Sequence, residues 1–428
     1  MFTFKRGASL STKKELTKNL KIEALPAPEI VFLPLVKDAE DPYRLLVKEK
    51  DIVKKGQHIA AFGKMETNVH ASVSGEVLGI AYRVNFLGRK VPHVKIKNDN
   101  KNTEVFMPAL TDNCSSEDII KRVKEAGIMG MGGAAFPTYV KLSPPEGKKA
   151  EILIINGCEC EPYLNCDYRV MKERAKEFVE GCLLLQKALN ANSAVVAIEE
   201  HNKDIADLLK SQGIIEVAVV KAKYPQGAEK MLIYALTKRK VTAGKLPIDI
   251  GIVVSNVQTA YAVYEAVKRG KPSIERVITV SGGAIANPKN LLVPAGTPIN
   301  EVAKFCGGYK TPPKRIVIGG PMMGYAEYSL DAVMSKRTSG VLFLTNEEIN
   351  TNKMTACINC ARCARSCPMK LMPMHIESGY LSGDFAAAKK YGALHCMECG
   401  ACAYACPANR PLVQSIKISK KMIKEKKL

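Results

Sequence analysis

Residues 357–368 read CINCARCARSCP and residues 396–407 read CMECGACAYACP, two copies of the spacing C-x2-C-x2-C-x3-C-P. A cubane of four irons and four sulfides needs four thiolates around one small inorganic core. Three cysteines at this spacing wrap one side of such a core, and the fourth, set before proline, points away and ligates the other cluster. Cys357, Cys360, Cys363 and Cys406 are therefore assigned to one 4Fe-4S cluster, and Cys396, Cys399, Cys402 and Cys367 to a second. Exchanged ligands hold the two clusters close together, as a one-electron relay requires. Zinc needs only four cysteines in paired halves, and a disulfide framework suits a small secreted chain rather than one of 428 residues. The pattern predicts electron transfer.

The opening MFTFKRGASLSTKK lacks the apolar stretch of a secretory signal. No apolar run reaches the ~18 residues of a membrane-spanning helix. With eight cluster-binding thiolates, these features predict a cytoplasmic protein, peripheral at most on the cytoplasmic face of the cell membrane.

Working back from the cysteines, residues 30–97 read as all-β, with short apolar strands IVFLPLV, HIAAF and VHASVSGEVLGI separated by turn signals such as Lys55-Gly56 and Ser74-Gly75. From about 115 the pattern changes to alternating helices and strands. SSEDIIKRVKEAG carries Ser115 and Asp118 in capping-box positions and closes on Gly127. The strands EILIIN, AVVAI, IEVAVV and IGIVVSN alternate with helices predicted near 168–190, 202–211, 227–238 and 257–269. That order predicts a wound α/β domain with a largely parallel sheet, whose ligands sit beyond the carboxyl ends of the strands. Residues 275–320, with strands RVITVSG, NLLVPAG and RIVIGGP and a helix near 299–305, read as a β-grasp module.

The loop AGIMGMGGAAFPTYVKL carries Gly127, Gly130, Gly132, Gly133, Ala134 and Ala135. Glycines without a Cβ let backbone amides approach a phosphate or a flat ring closely, although a tight turn has the same composition. Three further segments fall where a wound sheet presents a ligand. IINGCECEP places Asn156, Glu159 and Glu161 past a strand end, KYPQGAEK places Tyr224, Gly227 and Glu229 at a helix start, and VVSNVQT places Asn256 and Thr259 at another strand end. Amides, a hydroxyl and carboxylates hydrogen-bond the ribityl chain and ring edge of a flavin and the ribose of a nicotinamide nucleotide, while Lys141 is placed to meet a phosphate.

In combination, GMGGAAFPTYVKL, NGCECEP, YPQGAEK and SNVQT resemble the RnfC family of Rnf-type ferredoxin:NAD oxidoreductases, and the middle of the chain resembles the NADH-binding flavoprotein of complex I. The resemblance covers nearly the whole chain. It implies a multidomain α/β protein: an N-terminal all-β barrel-sandwich hybrid (1–110), a wound α/β domain for FMN and NADH (111–272), a β-grasp module of the SLBB type (273–325), a connector (326–350), a ferredoxin-like domain with two 4Fe-4S clusters (351–412) and a basic tail (413–428). It further implies FMN held by Gly130, Gly132, Gly133, Lys141, Asn156, Glu159, Tyr224, Gly227, Asn256 and Thr259, with Phe136, Glu161 and Glu229 on the NADH side.

Some positions depart from the family pattern. Met131 stands where complex I has arginine, and Cys158 replaces a small residue. KRGASL (5–10) and PLVKDAED (34–41) replace a Gly-Gly-Ile-His-like opening and a Gln-His-Ile-Gly-like segment, in the module expected to help dock partners. Lys64 in GKMET sits where biotinyl and lipoyl carriers have a modified lysine, but its neighbours do not match, and the module reads as scaffold. Cys158, Cys160 and Cys166 fit no cluster spacing and read as ordinary buried cysteines, as do Cys114, Cys182 and Cys306. His395 reads as a surface residue.

Hydride chemistry moves two electrons and iron-sulfur clusters carry one, so a flavin between them is the expected converter; no catalytic acid or base is needed. The expected partners are other redox subunits: membrane subunits of an Rnf-type complex, with ferredoxin reached indirectly, or a soluble reductase of the proline-reductase-associated or cobalamin-reductase type. Lys+Arg 63 against Asp+Glu 42 leaves +21. Two clusters and a flavin phosphate lower that to roughly +15. The densest patch is the tail KISKKMIKEKKL, read as a solvated, disordered end or as a docking site for an acidic protein or membrane surface. With no Trp and 6% aromatic residues, the stacking platform of a nucleic-acid binder is missing, and no nucleic acid is expected.

Overall fold

Four parallel strands build the central sheet, in the order Glu216–Val220, Ser193–Glu199, Ile152–Gly157, Ile252–Asn256. They belong to a computed structural model that describes residues 1–36, 41–85, 89–133, 135–213, 215–242 and 244–427. Part of the divergent segment 34–41, and Ala134 of the glycine loop, lie outside the described residues. The strands are near-continuous apolar runs because both faces are covered. Leu153, Ile155, Val196 and Ile198 face the helices Ala175–Leu189 and Val257–Arg269, while Ile154, Val195, Ala197 and Val254 face the helix Glu229–Thr237. Gly181 lets the first two helices cross closely, since a Cβ there would lie 2.1 Å from the Ala260 carbonyl oxygen. The helix expected over 168–190 is two, Cys166–Glu173 and Ala175–Leu189, broken at Arg174. The break points the first helix's N-terminus back at the end of the Ile152–Gly157 strand while the second covers the sheet.

The predicted capping box is present: Ser115 accepts from Asp118 N, and the Asp118 side chain accepts from Ser115 N, at the head of Ser116–Glu125. The barrel-sandwich module has two antiparallel sheets, a four-stranded one (Ile30–Pro34, Lys90–Asn98, Gly75–Val84, Ile52–Val53) against a three-stranded one (Tyr43–Leu45, His58–Phe62, Thr67–His70). Val31, Leu33, Ile59, Val69, Val94 and Ile96 fill the space between.

Three features differ from the domain plan. The first 25 residues do not join the barrel: Phe2 bridges Val220, Ala8 bridges Tyr224, and the strand Ile22–Ala24 pairs in parallel with Lys289–Pro294. The leader covers edges that would otherwise stand open on other domains. Second, the expected connector contains the strand Gly340–Leu344, buried at every position between Glu275–Ser281 and Arg315–Ile318 in a six-stranded mixed sheet. Its apolar run VLFL, fenced by polar residues, carries no period that distinguishes strand from spacer.

Third, the basic tail is the helix Leu412–Glu425. Leu412, Ser415, Ile416, Ser419 and Ile423 fall on one buried face, and the lysines occupy the other. Lys420 Nζ donates to the Cys396 carbonyl at 3.1 Å, so the tail packs on a cysteine loop. Among the described residues no helix is long and apolar enough to cross a membrane.

Candidate functional site

Two cavities open in the C-terminal domain. The first is lined by Cys367, Cys396, Cys399 and Cys402, the second by Cys357, Cys360, Cys363 and Cys406. Each thus gathers three cysteines of one run and the last of the other. The exchange follows from the short helices Arg362–Ser366 and Ala401–Tyr404, which carry the third cysteine of each run and deliver the fourth to the opposite cavity. Eight thiols converging on two cavities fit the donor set of two iron-sulfur cubanes. Cys357 is exposed and Cys360 half-buried, so the second cavity lies nearer solvent than the first, where Cys367, Cys399 and Cys402 are buried.

The glycine loop stands at the carboxyl edge of the central sheet. Gly130 N donates to the Phe136 carbonyl at 2.8 Å and closes the loop base; Met131 N donates to Thr259 Oγ1 at 3.0 Å. Gly132 lies against Asn256, whose side-chain atoms would stand 3.0 Å from a Cβ. Gly133, at φ +138°, faces open space. Gly127 serves another purpose, since a Cβ there would collide with the Asn68 carbonyl of the barrel module. Asn156 and Asn256 are register partners on adjacent strands. Asn156 Nδ2 donates to the Gly227 carbonyl at 2.7 Å, and Asn256 caps the helix Val257–Arg269 by accepting from Gln258 N. A Cβ on Gly227 would press on Cys158, Asn156 and Cys160.

Several expected side chains are already engaged. Lys141 donates to Glu229 Oε1 at 3.1 Å and to the Val254 carbonyl at 2.6 Å, so it is tied to Glu229. Glu159 accepts from Asp167 N and Tyr168 N, the first-turn amides of Cys166–Glu173, and burial raises its pKa. Glu161, expected on the dinucleotide side, accepts from Met322 N and Met323 N at 3.0 and 2.9 Å; both oxygens brace the β-grasp turn, and burial lifts the carboxyl to about 7. Tyr224, expected at the flavin, is buried and donates its hydroxyl to the Cys399 carbonyl. Phe136 stands at the loop's lip, 40% exposed.

Sequence reading missed Asp167, Gln258, Arg276 and Gln226. Asp167 accepts from Asn256 Nδ2 at 2.6 Å and Gln258 Nε2 at 2.9 Å; Arg276, buried, donates to the Met131 carbonyl and so pins the glycine loop from the β-grasp sheet. Only the fold brings these together, though Gln258 lies inside the quoted SNVQT. Gln226 is fully buried with neither side-chain amide atom partnered among the described residues, and Thr138 Oγ1 is likewise unpartnered. Orphaned amide and hydroxyl groups in the segments flanking the glycine loop, with open space at Gly133, fit a polar, flat ligand of the flavin type. Of the unassigned cysteines, Cys158, Cys182 and Cys306 are buried in apolar cores, whereas Cys160 packs with Tyr224, Met322 and Cys399.

A buried carboxyl gives the site a pH signature. Glu199, 2% exposed with Oε1 unpartnered, is pushed up to about 8 by burial, against the pull of Lys14. Its folded value exceeds the ~4.3 of an unfolded glutamate, so its contribution to stability is full at acid pH and is lost as pH rises through 8. Between pH 7 and 9 the loss integrates to about 1.4 kcal/mol. Glu199→Gln removes it: the variant's thermal midpoint relative to wild type is expected to rise from pH 7 to pH 9, and a difference that is flat or falls rejects the assignment.

Against known families, residues 2–101 match the RnfC barrel sandwich hybrid domain, 123–265 the Nuo51 FMN-binding domain, 277–326 the SLBB domain and 349–407 a 4Fe-4S dicluster domain. The chain is 43% identical over 380 residues to the RnfC-type component of the proton-translocating ferredoxin:NAD(+) oxidoreductase complex of Clostridium ljungdahlii, covering 87% of this chain and 83% of that one. It is 39% identical to the equivalent component of the ion-translocating oxidoreductase complex of Rhodobacter capsulatus, covering 99% and 84%. It is 37% identical to that of the Na(+)-translocating ferredoxin:NAD(+) oxidoreductase complex of Acetobacterium woodii, covering 98% and 97%. Among solved structures, an NAD+-reducing nickel-iron hydrogenase in the H2-reduced state superposes with a TM-score of 0.52 at 19% identity, over 71% of this chain and 62%, less than two thirds, of that one. That likeness concerns the fold.

Proposed function

Because the chain belongs to the RnfC family, we propose that it passes electrons between NAD(H) and partner redox subunits of an ion-translocating ferredoxin:NAD oxidoreductase complex, through FMN and two 4Fe-4S clusters. The observation that carries the reading is the junction at Tyr224: the residue begins the segment that lies along Asn156, and its hydroxyl reaches the carbonyl of Cys399. The nucleotide end and the cysteine cavities therefore abut. FMN held there would supply the conversion between the two-electron hydride chemistry of NAD(H) and one-electron transfer to the clusters.

The chain's own residues position and tune. Gly133 leaves open space for a flat ring, Gly132 packs on Asn256, and Gly130, Thr259, Asn156, Asn256 and Gly227 would hold the loop and strand ends beside the ring. Phe136 at the exposed lip and Glu229 would meet the nicotinamide nucleotide, and Lys141, tied to Glu229, would stand on the FMN side. Glu159, Glu161 and Tyr224 support the site from behind. Cys367, Cys396, Cys399 and Cys402 hold the cluster next to the flavin; Cys357, Cys360, Cys363 and Cys406 hold the outer one, where a partner protein exchanges electrons.

Anaerobically purified protein is expected to contain about eight irons, eight sulfides and one FMN per chain, and NADH is expected to bleach flavin and cluster absorbance. Full iron without flavin rejects the nucleotide half of the reading. Co-purification with integral membrane subunits supports the complex, whereas a stable complex with a soluble reductase alone overturns that placement.

A further inference from the structure

The divergent opening KRGASL lies against the helix that carries Cys363 of the outer cavity and ends at Cys367 of the inner one. Arg6 Nη1 donates to the Ala364 carbonyl at 2.7 Å, and Gly7 N to the Ser366 carbonyl at 3.1 Å, in the helix that ends at Cys367. One residue on, Ala8 and Tyr224 exchange both backbone hydrogen bonds at 2.8 and 3.0 Å. Tyr224 in turn reaches Cys399. Three consecutive residues, Arg6 to Ala8, thus stitch the flavin domain to the helix that ends at Cys367. Gly7 is required at this stitch: its φ is +93°, and a Cβ would lie 2.5 Å from the Tyr224 carbonyl oxygen.

The charges around the two cavities differ. At the outer one Arg410 is paired with Glu377 at 3.0 Å, both lining the cavity. At the inner one Lys420 is paired with Glu398. Arg6, which is exposed, forms no ion pair among the described residues.

We propose that Arg6–Ala8 is a strap that fastens the flavin domain to the inner cluster, and that Arg6 is a positioning residue whose charge favours the reduced form of that cluster over the outer one. The inference rests on the cofactor reading above. Reduction adds one electron to the cluster and forms or breaks no bond. The added negative charge would be stabilised by the Arg6 cation held at the Ala364 carbonyl, three residues before Cys367, and cluster potentials respond to such charge and to hydrogen bonding around the ligands. The inner cluster then accepts readily from the flavin, and the gap between them is held by the Ala8–Tyr224 pairing.

The test is an EPR-monitored redox titration of the full chain, purified anaerobically, as wild type, Arg6→Gln and Arg6→Lys, with the inner signal identified as the one retained in Cys406→Ala. In Arg6→Gln the inner cluster is expected to titrate at lower potential by about threefold in its reduced-to-oxidised ratio, ~30 mV for one electron, with the outer cluster unmoved. Arg6→Lys is expected to restore most of the shift. Gly7→Ala is expected to retain full iron while limited proteolysis cleaves the leader faster. An unmoved inner potential in Arg6→Gln, equal shifts of both clusters, or a lysine variant that behaves like glutamine overturns the charge role. Unchanged proteolysis of Gly7→Ala overturns the strap. Wild-type protein without its irons overturns the cofactor reading as well, so the two failures are distinct.

Discussion

Cys406→Ala is expected to remove the cluster held by Cys357, Cys360 and Cys363 and to spare the one held by Cys367, Cys396, Cys399 and Cys402, although Cys406 belongs to the second run. The mirror experiment, Cys367→Ala, is expected to remove the other. In each case iron falls from about eight to about four per chain, and one of two EPR signals disappears. The physical basis is the grouping of side chains around the two cavities, three from one run and one from the other. The domain has little else to hold it together there: the core beside the outer cavity consists of Cys363, Cys402 and Leu412 with a few half-buried neighbours. Removing one thiolate therefore leaves a void as well as an incomplete coordination sphere. Loss of the Cys396–Cys402 cluster in Cys406→Ala, with the outer one intact, contradicts the exchanged assignment.

Gly133→Leu is expected to weaken flavin binding strongly while leaving both clusters in place. The residue holds φ at +138° and has no atom within 4 Å of where a Cβ would be, so a leucine finds space but projects into the opening at the sheet edge. Backbone strain of about 1–3 kcal/mol adds to the steric block. Flavin affinity is expected to fall on the order of 100-fold, ~2.7 kcal/mol. The measurement is FMN released on denaturation against iron content: wild-type flavin with wild-type iron rejects this placement of the ring, and loss of iron together with flavin shows that the loop supports the cluster domain instead. Gly127 provides the contrast, since its missing Cβ makes room for the Asn68 carbonyl of the barrel and substitution there separates two modules.

How much was legible from residues alone varied with the range of the interaction. The helix beginning at Ser115 and the strands of the wound domain were readable because capping boxes and apolar runs are local devices, and the same is true of the cysteine spacing, where one short peptide surrounds one cluster. Asn156 and Asn256 stood out because strand ends announce themselves. Their pairing in register did not, nor did Asp167 and Arg276, which reach the site from a helix and a sheet of different modules. The carboxylate of Glu161 looked available for a ligand in sequence and is occupied by two backbone amides of a turn more than a hundred residues away. Basic residues in the tail concealed an amphipathic helix because the buried face needs only Leu412, Ile416 and Ile423 with two serines, while lysines dominate the composition.

The twin cysteine runs were enough to establish that two clusters exist and that the chain moves single electrons, because ligand spacing reports directly on the geometry of a metal core. Where those electrons enter is a matter of tertiary contact. The hydrogen bond from Tyr224 to Cys399, the lodging of Cys160 beside it, and the leader that runs from Phe2 past Tyr224 to Ser366 are unions of segments distant in sequence. No local pattern encodes them, since each partner alone reads as an ordinary buried residue or an ordinary loop; only folding places the flavin end and the inner cluster side by side.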